Sequence, residues 1–429
     1  MPEHIPNRPL EELATITMGQ SPESATVNSD ERGLPFLQGC AEFGSRHPTA
    51  RLHCSPPLRV AKVGSTLISV RAPVGTTNRA DQDYCIGRGL GAVLAKPGEA
   101  DNVFLLSAIE HGAGYLHRRS QGSTFLAISS DDLRSMPVPS PGIDAQMWIA
   151  DCVSTVDEAI EQTEALIAKT QQIKAGLMQD LFTRGVTPDG QLRPPRGEAP
   201  KLYKESPLGW IPKEWRIHSI GEIADSLVDG PFGSHLKTEH YVIEAGVRVV
   251  RLQNIQEGQY DDTDRAYVSG RHADFLSRYS VRSHDVLIAG MGDENYAVGR
   301  ACSYPDDLSP AINKADCYRL RCRPEEAHND FVALSLNSVV ARLQARRFEQ
   351  GVTRRRMNLG NFRRMLLPTP DLDEQTQCVA LLSAVNERFG AIESLAIKLR
   401  LVKQGLMSDL LTGRVRVPVV DAQKVAANV

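Results

Sequence analysis

The residues best suited to chemistry in this chain are arginines. Between positions 342 and 364 stand eight of them (Arg342, Arg346, Arg347, Arg354, Arg355, Arg356, Arg363 and Arg364) against one acid, Glu349, a local charge of +7. A guanidinium donates two parallel hydrogen bonds to a phosphate or to the edge of guanine, and Gln or Asn suits adenine. Gln350-Gly351-Val352-Thr353 lies inside this run. Gln121-Gly122-Ser123-Thr124 lies in a milder version with His117, Arg118, Arg119 and Arg134. The glycine of each loop lets the backbone approach a ligand closely. An arginine run is ordinarily a solvated face, but its return at a matching Gln-Gly-x-Thr loop favours a nucleic-acid surface. Weaker candidates occupy other glycine-rich loops: Ser234, His235 and Lys237 in DGPFGSHLK, Asn295 and Tyr296 beside Asp293, and Arg71, Asn78 and Arg79 in the first half. Acids such as Asp293 would accept from cytosine amino groups or cap turns.

Catalytic constellations are absent from the sequence. It has no G-x-x-x-x-G-K-[ST] loop, no H-E-x-x-H and no N-P-P-[YF] or D-P-P-Y. Gly87-Arg88-Gly89-Leu90-Gly91 lacks dinucleotide-loop spacing and reads as a turn between strands. The histidines, His218, His235, His240 and His284 among them, form no metal-ligand pattern. No catalytic or metal-binding residue is therefore assigned. The eight cysteines include no C-x-x-C pair and read as reduced core thiols of a cytoplasmic protein.

The elements that position these loops come from an internal repeat. KAGLMQDLFTRGV at 174–186 returns as KQGLMSDLLTGRV at 403–415, an offset of 229. Without gaps, 101–186 and 330–415 share 27 identities in 86 positions, against roughly one in fifteen for unrelated segments. Leu10-Glu11-Glu12-Leu13-Ala14 also resembles Ile220-Gly221-Glu222-Ile223-Ala224. Each half opens with short strand-like runs such as Ser65–Val70 and Asp285–Ala289, followed by a helix for which Asp101 and Asp330 read as N-caps.

Each half then closes with a long helix after Pro141 or Pro370. Ile149, Val153, Val156, Ile160, Thr163 and Ile167 follow a 4,3,4,3,4 spacing, and so do Cys378, Leu382, Val385, Phe389, Ile392 and Ala396. A helix of ~40 residues, about 60 Å long, cannot bury such a stripe on a small domain alone. The two helices are therefore expected to pair with each other. An antiparallel pairing would set the two front domains at opposite ends of a rod. The boundaries read as front domain 1–143, helix 144–184, Pro-rich linker 185–209, front domain 210–372, helix 373–414 and tail 415–429. The fold class is α+β: two mixed α/β domains joined by two long helices in an antiparallel coiled coil, with an internal two-fold repeat.

The chain has 429 residues, 41% hydrophobic and 24% charged, with a net charge of −3. That composition suits folded domains and excludes wholesale disorder. No apolar run reaches the ~20 residues of a membrane span, and the N-terminus lacks a secretory layout. Near-neutrality neither favours nor excludes a basic face.

LGWIPKEW at 208–215 and the doubled K-x-G-L-M-x-D-L-[FL]-T after a long helix resemble the specificity subunits of type I restriction–modification systems. The resemblance implies a non-catalytic DNA-recognition subunit. Its two target-recognition domains each read half of a bipartite sequence in double-stranded DNA, and its helices set the spacer. It further implies two copies of a modification (methyltransferase) subunit contacting 144–183 and 373–412, and restriction (endonuclease/translocase) subunits. S-adenosylmethionine, ATP and Mg would serve those partners, with no cofactor in this chain. DNA contacts are carried over only to the loops named: Arg71, Asn78, Arg79, Arg118, Arg119, Gln121, Thr124, Ser234, His235, Lys237, Asn295, Tyr296, Arg346, Arg347, Gln350, Thr353, Arg354, Arg355 and Arg356. A coiled-coil scaffold that bridges proteins without reading DNA is the competing reading.

Overall fold

The computed structural model describes residues 5–120, 127–243, 246–415 and 417. The chain divides into two units, Met1–Leu166 with Ile392–Val429, and Ile167–Ala391.

Two sheets form the body of the first unit, beside a two-stranded pairing of Asn7–Pro9 with Pro137–Pro139. One is antiparallel, in the order Ala14–Met18, Leu90–Ala95, Thr66–Ser69, Thr77–Arg79. The other has five short strands, with a parallel pair, Phe36↔Cys85 and Leu37↔Ile86, at its centre. The strand Thr66–Ser69 is buried at every position, its outer residues Thr66 and Ser69 included, so it shows no alternation of apolar and polar side chains. Asp101 accepts from the amides of Val103 (2.8 Å) and Phe104 (2.9 Å) and so starts the helix Asn102–His111.

The second unit repeats this plan. Its antiparallel sheet runs Ala224–Val228, Cys317–Cys322, Val286–Ala289, Ala301–Ser303. A five-stranded sheet again centres on a parallel pair, Val249↔Ile312. Here the capping expectation fails. The helix Asn329–Ser335 is preceded by His328 at the N-cap, and Asp330 lies inside the first turn. Its carboxylate instead meets His284 Nδ1 at 2.9 Å.

The long helices run over Ile143–Leu181 and Leu372–Leu411. In the first unit Lys403 Nζ lies 2.8 Å from Asp157 and Arg400 Nη2 lies 2.6 Å from Glu164. As one helix ascends in number the other descends, so the pairing is antiparallel. Ile149 and Val153 share a core cluster with Met407, Leu410 and Leu411. In the second unit Leu181 and Phe182, at the end of the first helix, cluster with Cys378 and Leu382, near the start of the second. Of the other seam residues, Ile392 is buried, while Val156, Ile160, Ile167, Val385 and Phe389 are half-buried.

The segment read as a linker is ordered. Val186 lies in the second unit's core, and Tyr203–Ser206 pairs with Gly209–Pro212. Glu374 gathers this segment: it accepts from the Val186 amide (2.9 Å), from both Nη atoms of Arg193 and from Trp215 Nε1 (3.1 Å). Of the tail, only 415 and 417 fall within the described residues.

Candidate nucleic-acid interface

The arginine-rich segment of the second unit is a small hairpin. Gln350 and Arg356 exchange both backbone hydrogen bonds at 2.8 Å, and Gly351 turns the chain with φ +96°. The hairpin's second strand, Arg355–Arg356, pairs with Met291–Gly292. That pairing places Asn295 and Tyr296 beside it, in a turn where the Asp293 carboxylate accepts from both of their amides (2.8 and 2.9 Å). Arg300 is buried beneath this turn. Its guanidinium donates to the carbonyls of Ile255 (2.7 Å), Leu252 (2.8 Å), Ala297 (3.0 Å) and Met291 (3.1 Å). Burial lowers its pKa below the usual arginine value. Four of its five N–H donors meet backbone carbonyls, so the group is held without a carboxylate partner.

Two acids fasten the DGPFGSHLK loop to the hairpin. Asp229 Oδ1 accepts from the amides of Gly230 (2.7 Å) and Asp316 (2.9 Å). The Asp316 carboxylate in turn meets Arg356 Nη2 at 2.9 Å. Burial, reinforced by Asp316, raises the Asp229 pKa to about 6, against the pull of two amides and Arg356. Gly230 is required there, because a Cβ would occupy the backbone of Lys314. Ser234, His235 and Lys237 are all exposed in this loop.

The +7 run is partly neutralised in three dimensions. Arg342 meets Glu257 (2.8 Å), Arg355 meets Glu349 (3.6 Å), and Arg356 meets Asp316. Arg346, Arg347 and Arg354 are exposed and form no ion pair with described residues. Thr353 and Gln350 are exposed on the hairpin.

The first unit builds the same junction from different residues. The Val70 amide donates to Gly89 O (3.0 Å) and Val70 O accepts from Ile128 (3.0 Å). In the second unit the Gly290 amide donates to Asp316 O (2.8 Å) and Gly290 O accepts from Met357 (3.0 Å). Arg71 bridges to Ala127 as Met291 does to Arg356. Arg118 and Arg119 are exposed at the end of the helix Ala113–Arg119, with Arg119 over the Tyr115 ring (4.5 Å) and 3.6 Å from Asp132. Gln121 and Thr124 lie outside the described residues.

Asn78 and Arg79 sit elsewhere. Asn78 is buried and donates to Gly44 O (2.7 Å). Arg79 lines a cavity of about 350 Å³ between the sheet and the helices, with Arg46, Glu110, Asp157 and Lys403. Among the described residues no cluster of three His, Cys, Asp or Glu side chains is placed to hold a metal ion. No described helix is long and apolar enough to cross a membrane. The sequence did not single out Asp229, Asp316 or Arg300 as supports of the interface. The glycine and proline of DGPFG were the available signal for the first.

Residues 59–172 match the family model for the type I restriction modification DNA specificity domain. The type I restriction enzyme EcoBI specificity subunit of Escherichia coli is 23% identical over 374 residues, covering 86% of this chain and 77% of that protein. The chain thus resembles type I restriction–modification specificity subunits, by one family domain and by relatives along its length. The MjaX specificity subunit of Methanocaldococcus jannaschii is 36% identical over 173 residues, 40% of this chain and 41% of that protein. The chain thus spans less than half the length of that relative. An S subunit from M. genitalium shares the fold, with a TM-score of 0.58 at 15% identity over 94% of this chain and 95% of that one.

Proposed function

We propose that this chain is the DNA-recognition subunit of a type I restriction–modification complex and has no catalytic centre of its own. Each unit reads one half of a bipartite duplex sequence through the loops rooted at the Arg71–Ala127 and Met291–Arg356 junctions. The paired helices hold the two half-sites at a fixed spacer. The repetition of one backbone junction in two units, with different side chains on it, carries this reading. It gives two sites of one type with two different targets. Two readers on one frame gain affinity by effective concentration only when the half-sites are correctly separated.

Modification subunits dock on the long helices, in two copies. In support, Leu395 and Val402 are exposed on the second helix and Leu166 and Ile173 are exposed on the first. These pairs are related by the same offset of 229. Restriction subunits complete the complex. S-adenosylmethionine, ATP and Mg belong to those partners, and the assembly works in the cytoplasm.

The test uses the full chain assembled with its modification subunits and duplex DNA carrying the target. Arg354→Ala and the double change Arg346→Ala/Arg347→Ala are titrated across salt concentrations. Loss of a phosphate contact reduces the log–log salt slope by about 1 per contact. Unchanged affinity and unchanged slope in both variants would remove the hairpin and its helix from the interface.

A further inference from the structure

The loop that leaves Asp229 ends in an aromatic side chain with no place in the core. Pro231 is buried, yet Phe232 is 56% exposed. Gly233 takes φ +59°, and the His235 amide points back to Phe232 O at 3.4 Å. The root of the loop is clamped by Asp229 and by the close approach of Gly230 to Lys314. The tip is therefore a rigid turn that presents a phenyl ring to solvent.

Three residues on, His235 meets a second exposed ring. Phe275 is 69% exposed, with its centroid 6.0 Å from both His235 and His272. His272 Nε2 holds His235 O at 2.9 Å, and His240 stacks on His272 at 4.1 Å. Lys237 and Arg271 are exposed in the same neighbourhood of the chain. Water-exposed phenylalanines are unfavourable. Lys237 is partly offset by Glu239 at 3.6 Å, and Arg271 forms no ion pair with described residues, which leaves it to meet a polyanion.

The patch is continuous with the proposed DNA surface. Asp229 ties the loop to Asp316, and Asp316 ties to Arg356 of the hairpin. The first unit supplies an internal control. The registers Val93↔Ile16 and Leu320↔Leu227 place Gly19 where Gly230 stands. A Cβ on Gly19 would likewise strike backbone, that of Gly87. Counting on from that glycine, Ser21 falls at the position of Phe232.

We propose that Phe232 is a wedge that inserts at a base step of the half-site read by the second unit. The inference rests on the DNA-recognition reading above. Apolar side chains on rigid loops partially unstack duplex steps, and the lost stacking is replaced by ring–base contact. His235, His272 and Phe275 form the wall beside the inserted ring. The unit carrying Ser21 reads its half-site without this distortion.

The test is permanganate reactivity of thymines in the bound target, using the complex with its modification subunits. The wild-type complex is expected to enhance reactivity at one step of one half-site, apart from any signal opposite the methylated adenine. Phe232→Ala should abolish that signal and weaken target binding roughly 10-fold, the scale of one lost ring–base stack. Phe232→Leu, which keeps apolar bulk, should retain part of it. Identical reactivity and affinity in wild type and Phe232→Ala overturns the wedge. If Arg354→Ala still weakens binding in that case, DNA recognition by this unit stands without it. Loss of modification-subunit capture by Phe232→Ala on size exclusion also overturns the wedge, since the patch would then face protein.

Discussion

Glu374→Ala should be among the most damaging single changes outside the recognition loops. The carboxylate is 6% exposed and meets four donors: the Val186 amide, Trp215 Nε1 and both Nη atoms of Arg193. Arg193 is 8% exposed and Trp215 is 1% exposed. Truncation leaves a buried guanidinium whose remaining contact is the Arg184 carbonyl at 3.1 Å. Removing one partner of a buried pair costs about 3–5 kcal/mol. Each orphaned N–H adds about 1–3 kcal/mol before water enters the space left behind. These terms overlap, so the net cost is about 4 kcal/mol. For a unit of this size each kcal/mol lowers the melting temperature by about 2–4 °C, so the drop is roughly 10 °C. Differential scanning calorimetry of the whole chain should show it in the transition of the second unit alone. Glu374→Met with Arg193→Met, which removes both charges and keeps apolar volume, should recover most of the loss. A shift under about 3 °C in Glu374→Ala, or a double variant worse than the single one, would refute the reasoning.

Two further outcomes follow from the interface. Asp229 titrates at about 6 in the fold and near 4 when unfolded. Its raised pKa means the folded state holds the proton more tightly. The stabilisation is complete below about pH 4 and is lost as pH rises through about 6. Between pH 7 and pH 5 it contributes about 1 kcal/mol in favour of the fold. Asp229→Asn keeps an oxygen acceptor for both amides and should flatten that dependence. Parallel stability–pH curves for the two proteins would contradict it. Arg300→Lys removes donors from carbonyls that root the Asp293–Tyr296 turn. It should reduce target binding about 10-fold, the scale of one good bidentate contact displaced, and leave capture of the modification subunits unchanged. Equal binding would show that the turn makes no contact.

The long-range plan was legible because it is periodic. A repeat offset and a 4,3 spacing are one-dimensional signals, and they located both helices and the loop at Gln350–Thr353. Burial of Ile149, Val153, Leu382 and Ile392 follows from that spacing. What sequence could not show were contacts between distant positions. Glu374 meets partners 159 to 188 residues away, so a proline-rich stretch with a helical anchor was read as a linker. Asp330 looked like a cap by analogy with Asp101, but His284 draws its side chain away. Asn78 had the right chemistry for adenine, yet it faces Gly44 inside the fold. The arginine run looked like seven net charges. Its neutralising acids, Glu257 and Asp316, lie on other loops. The match of Gly19 to Gly230 rests on backbone crowding and leaves almost no trace in side-chain identity.

The central claim is that two units of one chain read two halves of one split sequence. Mapping methylated adenines across genomic DNA tests it most directly, in cells that express the partner modification subunits with and without this chain. The account predicts one bipartite motif with a fixed spacer, present only with the chain. A continuous motif, or a methylation pattern indifferent to the chain while the modification subunits are expressed, would contradict it.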